Sequence, residues 1–374
     1  MSRVIDVQES QRAALHAFEL DDELKLLVGL NSFFNGQEPP PFKHLGGLRW
    51  RPRESYPPGL DGEIAARKEA EHLAHCMTRK AGVHNLPLHG GKAVIFGGDP
   101  KKHKTPAVLR HTAECIDTLP YITAEDSGTS MQDMLTIRQY TKNVCGIPRE
   151  AGGSGDPSPK TALGVLLSIK AALRWQRQSS DDTLVGEIVG VEGAGNVGSK
   201  LIRLLLEAGA KVIFSEKVDS TARAVLGACK NQDEQIRLTW YDSVRPVYAN
   251  QDISIYAPCG VDPMPLGHED SLAAKIVCGA ANIQFTDVEA QVERLVQKSK
   301  IVVPEYVASG GGLMNVASEF DAGGYVEANA LGRIEFIPDT CQEVFRLAVL
   351  GNQTTYVAAE ILARARAAEL VKGY

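Results

Sequence analysis

The sequence predicts an α/β protein of two domains, the second built on a doubly wound parallel sheet. Short apolar segments alternate with helical stretches through the second half of the chain, as buried parallel strands and their crossover helices do. A Gly/Pro/Ser-rich segment at 151–159 separates this half from the first and is typical of a hinge. A chain of 374 residues is long enough for two domains that each bury a core.

The composition argues against several other classes of protein. Lys and Arg number 40 against 46 Asp and Glu, and the resulting net charge of −6 disfavours nucleic acid as a partner. The N-terminus lacks the apolar region of a signal peptide, and no apolar run reaches the length of a membrane helix, so no membrane association is expected. The seven cysteines are scattered and form no CxxC pair. This pattern predicts a cytoplasmic protein with reduced thiols, no disulfide framework and no metal site.

Residues 1–150 are expected to form the first domain. Residues 1–60 carry a PPP run and a Gly pair and are expected to be irregular. Apolar residues at helical spacing predict a helix over 62–81, and a strand is expected at 92–96. A second helix over 105–119 and a strand at 121–123 complete the prediction for this domain.

Residues 151–346 are expected to form the second domain. It begins with an apolar helix over 161–175. Its predicted strands cover residues 187–192, 211–216, 252–257, 275–280 and 300–305. An Ala-rich helix over 356–370, within the C-terminal segment 347–374, is expected to return to the first domain.

The most specific motif is a dinucleotide-binding turn. A predicted strand, the GxGxxG sequence of Gly193, Gly195 and Gly198, a helix and a second strand follow one another. The glycines permit a tight turn, a close approach of backbone to a pyrophosphate, and close helix–strand packing. Glu216 ends the second strand, where a carboxylate holds ribose hydroxyls and repels a 2′-phosphate, which favours NAD over NADP. The neighbouring Lys217 weakens that preference, and a Gly-rich turn that binds nothing is the alternative.

Three charged residues of the first domain are candidates for the chemistry. Lys80 shares an apolar helix face, although a lysine there commonly extends to water. Lys92 follows two glycines and enters a buried strand, where desolvation and a second lysine nearby would lower its pKa and make it a base; the alternative is a surface lysine after a turn. Asp126 follows a strand-like segment and could equally be a helix cap or an Asx-turn. Beside a nicotinamide, these groups suggest oxidation of an anionic substrate.

The chain resembles the Glu/Leu/Phe/Val dehydrogenases and is most similar to the leucine and phenylalanine dehydrogenase branch. The matching segments occur in family order over nearly the whole chain: LGGLRW (45–50), CMTRKA (76–81), GGKAVI (90–95), YITAEDSGTS (121–130), DPSPKTALGV (156–165), VEGAGNVG (191–198), IYAPCG (255–260), GAANIQF (279–285), PEYVASGGGLMNV (304–316) and TTYVAAEILA (354–363). The resemblance implies an N-terminal substrate-binding and oligomerisation domain, a Rossmann-type domain and a cleft between them. It implies a homo-oligomer that oxidatively deaminates an L-amino acid, reversibly, to a 2-oxo acid and ammonia with NAD.

The resemblance also implies roles for individual residues. Lys92 corresponds to the lysine that activates water, Asp126 to the acid that exchanges protons with the substrate nitrogen, and Lys80 to the partner of the substrate carboxylate. The expected substrate-binding residues are Lys80, Gly46, Gly47, Met77, Leu45, His89, Ala124, Asn282, Leu313 and Val316. The expected cofactor-binding residues are Gly193, Gly195, Asn196, Val197, Gly198, Glu216, Thr161, Pro258, Cys259, Ala280 and Asn282.

Some residues depart from the family pattern near the expected pocket. They are His89, Lys43, His44, Ile283 and Ser309, and they reflect either drift or a changed substrate side chain. The aliphatic wall of Leu45, Ala124, Leu313 and Val316 favours an apolar or aromatic side chain. If Lys43 pointed into the pocket, an acidic or polar substrate would be expected instead. A non-standard substrate on the same scaffold and a non-catalytic NAD-binding protein are the alternative functions.

Overall fold

The fold is described from a computed structural model, which describes residues 14–33, 42–58, 61–242 and 246–372. The chain divides into two compact units. Among the described residues, the first unit contains those up to Asp156 together with Val316–Glu327 and 363–372, and the second contains Pro157–Asn315 and Ala328–Leu362. Each unit has its own sheet.

The first unit is built on a mixed sheet. Its strands within the described residues are β1 (Ala14–Glu19), β2 (Lys25–Asn31), β3 (His44–Arg51), β4 (His89–Phe96) and β5 (Tyr121–Glu125). Its helices there are α1 (Gly62–Val83), α2 (Pro100–His103), α3 (Pro106–Asp117) and α4 (Met131–Ile137). The strand order is β1-β2-β4-β3-β5, with β3 parallel to β4 and β5. Strand β2 is antiparallel to both of its neighbours, β1 and β4.

Helix α1 lies close against one face of this sheet. It begins after Asp61, whose carboxylate accepts the backbone N–H groups of two first-turn residues. Its buried face presents the small side chains of Ala66, Ala70 and Ala74, which allow the helix to approach the strands. Gly29 of β2 lies directly below, and a Cβ there would come within 2.7 Å of the Ala70 carbonyl oxygen. Small residues on both elements therefore set the helix–sheet distance.

The apolar core of the first unit fills the opposite face of the sheet. Leu48 and Trp50 of β3 and Ile95 of β4 pack there with Ile116 of α3 and Met134 of α4. Because strand side chains alternate, the odd-numbered residues of β3 and the even-numbered residues of β4 face α1 instead. The register thus separates a core face from a face that carries polar side chains.

The expectation that residues 1–60 are irregular is wrong for β1, β2 and β3. The glycine pair of the LGG sequence lies inside β3 and does not mark a loop. A Cβ on Gly46 would collide with the carbonyl of Gly91 on the adjacent strand, so glycine is required by the close packing of two backbones. The PPP run at 39–41 lies outside the described residues.

The second unit contains a parallel sheet. Its strands within the described residues are β6 (Ile188–Glu192), β7 (Lys211–Ser215), β8 (Leu238–Asp242), β9 (Ile255–Pro258), β10 (Ile276–Val277) and β11 (Ile301–Val302). Its helices there are α5 (Ser158–Arg177), α6 (Asn196–Glu207), α7 (Asp219–Gly227), α8 (Gln232–Arg237), α9 (Val288–Gln297), α10 (Glu305–Ala308), most of α11 (Gly310–Ala317), most of α12 (Glu327–Ile334), α13 (Ile337–Gly351) and the first part of α14 (Thr355–Lys372). The doubly wound sheet predicted from the sequence is confirmed.

The strand order of this sheet is β11-β10-β9-β6-β7-β8. The chain builds outward from β6 through β7 to β8, and then returns to the other side of β6 for β9, β10 and β11. The order therefore reverses between β6 and β9. In open parallel sheets of this kind, the crevice for a nucleotide lies at the carboxyl ends of the strands at that reversal.

The last helix, α14, contributes to both units. From Ala363 onward it belongs to the first unit, where the Arg366 guanidinium donates to the Val83 carbonyl at the end of α1. Gly82 allows this contact, because a Cβ there would lie 2.8 Å from the Ala363 carbonyl oxygen. Arg364 lies over the ring of Phe33 at 4.8 Å. Among the described helices, none is both long and apolar enough to cross a membrane.

Candidate active site

A buried lysine–aspartate pair lies on the α1 face of the first sheet. Lys92 is in the middle of β4, a strand buried along its whole length, and only 5% of the lysine is exposed. Asp126 follows β5 directly. The Lys92 ammonium donates to Oδ2 of Asp126. Two of the three charged candidates from the sequence are thus in direct contact.

The surroundings of Asp126 fix the orientation of its carboxylate. Oδ1 accepts the backbone N–H of Ser127 at 2.6 Å and is also bonded by Arg49, at 3.1 Å from Nε. Gly47 leaves the space that the carboxylate occupies, because a Cβ there would come within 2.7 Å of Oδ2. The side-chain hydroxyl of Thr129 accepts the Asp126 backbone N–H at 2.9 Å. Both carboxylate oxygens therefore have defined partners.

Burial and charge set the protonation states of the pair. Desolvation is the main reason that the pKa of Lys92 lies below its ordinary value, and the nearby Arg49 lowers it further, while Asp126 opposes both effects. Burial alone would raise the pKa of Asp126, but the charges of Lys92 and Arg49 outweigh it and hold that pKa well below the usual range. Asp126 is therefore an anion at any working pH, and Lys92 loses its proton more readily than an exposed lysine.

Sequence reasoning missed the cation and the anion beside this pair. It expected a second lysine to act on Lys92, whereas the positive neighbour with the largest effect is Arg49. Arg49 is held in turn by Glu69 of α1, at 2.7 Å from Nη1 to Oε1. The signal was present in LGGLRW, since Arg49 lies two and four residues after Gly47 and Leu45 and so shares their face.

Lys80 and Met77 lie on the last two turns of α1, and both are half-buried. Leu45 and Ala124 belong to the sheet face that α1 covers, as does Lys92. A Cβ on Gly146 would lie 3.8 Å from Cβ of Ala124. Leu45, Ala124 and Lys92 therefore share one face of the sheet.

Val316 also reaches this wall. Its Cγ1 would lie 3.9 Å from a Cβ on Gly146, whose φ of +69° favours glycine. Three residues later, Oε1 of Glu319 accepts the backbone N–H groups of Gly146 and Ser154, each at 2.8 Å. Burial raises the pKa of Glu319. The carboxylate therefore fixes the segment that carries Val316 against the loop that carries Gly146, an arrangement that no sequence motif indicated.

Three departures from the family pattern, Lys43, His44 and His89, lie on or directly beside the first sheet. The rings of His44 and His89 are 5.0 Å apart, and strand alternation places both residues on the opposite side of the sheet from Lys92. Burial, followed by the charge of His89, lowers the pKa of His44 to about 4, so the ring is neutral. Lys43 donates to Oδ1 of Asn143 at 2.5 Å.

The dinucleotide motif has the geometry its glycines predict. Gly193 leaves β6 with φ of +89°, and α6 begins at Asn196 with Gly195 as its N-cap. A Cβ on Gly198 would collide with the Gly193 carbonyl, so this glycine brings helix and strand together. A Cβ on Gly195 would meet nothing within 4 Å. The turn, with Val197 in the first turn of α6, lies at the carboxyl end of β6, beside the reversal of strand order.

The neighbouring strand end completes this region. The Cys259 backbone N–H donates to the Glu192 carbonyl at 2.7 Å, and that of Ala280 donates to the Pro258 carbonyl at 2.8 Å. Burial raises the pKa of the Cys259 thiol to about 12, so the thiol is neutral. Asn282 is exposed after β10.

Thr161 lies on α5, and a Cβ on Gly312 would come close to its hydroxyl, so α5 and α11 are in contact there. Leu313, on α11, is buried.

Glu216 follows β7, as the sequence predicted for a ribose-binding acid. Its Oε2 accepts the Ala194 backbone N–H at 2.8 Å, and its Oε1 accepts that of Val218 at 2.9 Å. The carboxylate is thus fixed beside the glycine turn. The adjacent Lys217 ion-pairs with Asp262 at 2.5 Å. Within the described ranges, no group of three or more His, Cys, Asp or Glu side chains could hold a metal ion.

A glycine turn at the reversal point of a doubly wound sheet and a desolvated lysine–aspartate pair in a separate unit are together typical of a nicotinamide-dependent dehydrogenase. The chain belongs to the Glu/Leu/Phe/Val dehydrogenase family: the model of that family's dimerisation domain matches residues 17–143, and its Glutamate/Leucine/Phenylalanine/Valine dehydrogenase model matches residues 152–369. It is an amino-acid dehydrogenase, an oxidoreductase that acts on CH–NH₂ groups.

Three curated relatives and one solved structure illustrate the similarity. The chain is 38% identical over 328 residues to leucine dehydrogenase of Geobacillus stearothermophilus, covering 86% of this chain and 83% of the relative. It is 37% identical to L-tryptophan dehydrogenase of Nostoc punctiforme (81% and 82% covered) and 31% identical to phenylalanine dehydrogenase of Thermoactinomyces intermedius (93% and 88% covered). The crystal structure of the Nostoc punctiforme L-tryptophan dehydrogenase superposes with a TM-score of 0.76 over 97% of each chain, at 31% identity.

Proposed function

We propose that the protein catalyses the reversible, NAD-dependent oxidative deamination of an L-amino acid with an apolar or aromatic side chain. The products are a 2-oxo acid and ammonia. The observation that carries the proposal is the contact between the buried Lys92 ammonium and the ionised Asp126 carboxylate. Oxidation of an amino acid needs two proton steps, one at the substrate nitrogen and one at the attacking water, and this pair supplies a group for each.

The proposed roles follow from the charges. Lys80 ion-pairs with the substrate carboxylate. Asp126 takes a proton from the substrate ammonium, and Lys92, as the neutral amine, takes a proton from the water that attacks the iminium carbon. The Gly193–Gly198 turn and the Glu216 carboxylate would hold NAD, which would supply the hydride acceptor for the substrate Cα. The lowered pKa of Lys92 supports its role, because a base must be unprotonated near working pH.

The proposed substrate class rests on the wall of the pocket. Leu45, Ala124 and Val316 are aliphatic, and an anionic substrate side chain buried against them would lack a partner. An acidic substrate would be favoured if Lys43 pointed into the pocket. Lys43 precedes β3, and its ammonium donates to Asn143 instead. The named leucine, tryptophan and phenylalanine dehydrogenase relatives support the same class.

A panel of 2-oxo acids with NADH and ammonia tests this function. We expect kcat/KM for 4-methyl-2-oxopentanoate, phenylpyruvate or indole-3-pyruvate to exceed that for 2-oxoglutarate by about 10²-fold or more, because a carboxylate cannot be buried cheaply in this wall. The rate should depend strictly on ammonia. A preference for 2-oxoglutarate would contradict the substrate class, and turnover without ammonia would contradict the reaction.

The proposed use of NAD is tested by Gly195→Ala. The added methyl group meets no protein atom and the backbone is not left-handed, so folding should be unaffected. The methyl group would occupy the space through which a pyrophosphate approaches the turn, and we expect KM for NAD to rise about tenfold or more with unchanged Tm. Gly227→Ala is the matched control, since a Cβ at Gly227 also meets nothing within 4 Å. An unchanged KM in Gly195→Ala would argue against this site.

The proposed preference for NAD over NADP rests on Glu216. Its carboxylate is fixed by two backbone N–H groups, and the charge of Lys217 is offset by Asp262. A 2′-phosphate would therefore meet a fixed anion. The match to a family domain described as a dimerisation domain supports a homo-oligomer, which we propose as the working form.

A further inference from the structure

Arg49 bonds the carboxylate of the proposed catalytic pair through two of its nitrogens. Its side chain is 13% exposed and points from β3 to the face that carries Lys92. Nε and Nη2 of the guanidinium lie 3.1 and 3.0 Å from Oδ1 of Asp126. Both nitrogens bond the same oxygen, so this charge-assisted contact fixes the position of Oδ1.

The guanidinium is itself held from the other side. Its Nη1 donates to Oε1 of Glu69 at 2.7 Å. Glu69 also accepts from Arg51, at 2.9 Å from Nη2, and from the hydroxyl of Tyr56 at 2.5 Å. Arg49 is therefore a fixed cation between two carboxylates, which limits its freedom to follow movements of Asp126.

The two carboxylate oxygens of Asp126 have different cation partners. Oδ2 faces Lys92 and Oδ1 faces Arg49. Lys92 must alternate between ammonium and amine if it exchanges protons in the reaction, and in the amine state it no longer neutralises Asp126. Arg49 is always charged, so it remains as a counter-ion throughout the cycle. Without it, the buried carboxylate would be left unpaired each time Lys92 became neutral.

We propose that Arg49 is a positioning residue for the reaction: it holds Oδ1 of Asp126 so that the carboxylate is oriented and returns to its ionised form after each proton transfer from the substrate nitrogen, while Lys92 gives up and regains its own proton. The proposal rests on the function proposed above. The charged groups that act on Lys92 come from three elements: Arg49 from β3, Glu69 from α1, and Asp126 after β5. Removing the Arg49 cation should raise the pKa of Lys92, because the charge of Arg49 disfavours the ammonium. The rising limb of the pH–rate profile, which requires neutral Lys92, should therefore move to higher pH.

The test compares Arg49→Gln and Arg49→Lys with Arg51→Gln in the full-length protein. Arg51 shares Glu69 with Arg49, and its described side-chain bonds go to Glu69, so it controls for loss of the Glu69 network. For oxidative deamination, we expect Arg49→Gln to lower kcat by about 10- to 100-fold and to shift the rising limb of log kcat/KM about one unit to higher pH, with KM for NAD unchanged. Arg49→Lys should restore the limb and only part of kcat, because it keeps the charge and loses the fork.

The outcomes separate two failures. If wild type and Arg51→Gln turn over amino acids while both Arg49 variants keep the wild-type limb and a kcat within about twofold, the role of Arg49 is overturned and the proposed function stands. The same holds if Arg51→Gln shifts the limb as far as Arg49→Gln does. If Arg49→Gln does not fold, Arg49→Lys decides alone, since an unreduced kcat there contradicts the need for a two-nitrogen contact. Absence of amino-acid turnover in wild type overturns the proposed function and this role together.

Discussion

Replacing Lys92 with alanine is expected to lower kcat for oxidative deamination by about 10³-fold or more. The variant loses the only proposed acceptor for the proton of the attacking water, and general base catalysis contributes about 10² to 10⁴ in rate. Asp126 keeps Arg49 as a counter-ion, so the buried carboxylate is not left without charge compensation. We therefore expect a folded protein with an unchanged KM for NAD, measured by steady-state kinetics and thermal unfolding.

Lys104→Ala is the control for this variant. Lys104 forms a second lysine–aspartate pair in the same unit, 2.7 Å from Asp133, and α4 with its capping box places that pair on a different element. Lys104→Ala should show whatever stability is lost when a lysine–aspartate pair is removed, and its kcat should remain at the wild-type value. A Lys92→Ala enzyme with more than about a tenth of the wild-type kcat would show that another group deprotonates the water.

Asp126→Asn is expected to have the second largest effect. The amide keeps the shape of the carboxylate but removes the anion that opposes desolvation of Lys92 and the charge of Arg49. We expect kcat to fall about 10²-fold, because the substrate ammonium loses its proton acceptor. The limb that depends on neutral Lys92 should move to lower pH, the opposite direction from that expected for Arg49→Gln, because the pKa of Lys92 falls further without its anion.

The same variant should also lose stability in a pH-dependent manner. It leaves a buried ammonium without its carboxylate partner, at a cost of about 3 kcal/mol when the lysine is charged. Because the pKa of Lys92 is lower in the folded than in the unfolded chain, the unfolded chain binds more protons. Stability of the variant should therefore rise with pH up to the ordinary lysine value. Asp133→Asn is the control and should not shift the activity limb. A kcat limb that stays in place in Asp126→Asn would contradict the electrostatic coupling of the pair.

Five of the six strands described in the second unit could be predicted from the sequence, whereas β8 (Leu238–Asp242) was missed. Both faces of a parallel sheet are buried, so the predicted strands are short apolar runs that can be recognised from composition. The helices begin where this apolar pattern ends. The glycine turn was equally readable, since Gly193 and Gly198 are required by backbone conformation and by close packing. Local sequence dictates these features, and no distant residue is needed to explain them.

The strands and site residues of the first unit were harder to predict from the sequence, because contacts between distant segments determine them. In the sequence, the glycines of β3 are typical of a loop. Only the packing of Gly46 against Gly91 of β4 explains why a strand contains them. The pairing of Lys92 with Asp126 joins two strands that both flank β3, so only the sheet order brings them together. Arg49 was hidden for the same reason, since its alternation with Gly47 has meaning only once β3 is recognised as a strand. His89 and His44 were expected near the substrate because they depart from the family pattern, but neither residue shares the face of Lys92.

The most direct test is a stoichiometry measurement on the wild-type protein. With an apolar or aromatic L-amino acid and NAD, the NADH, the ammonia and the corresponding 2-oxo acid should form in equal amounts, and all three should vanish together in Lys92→Ala. NADH formed without ammonia, or no turnover of any amino acid across a broad panel, would contradict the reaction assigned to the Lys92–Asp126 pair.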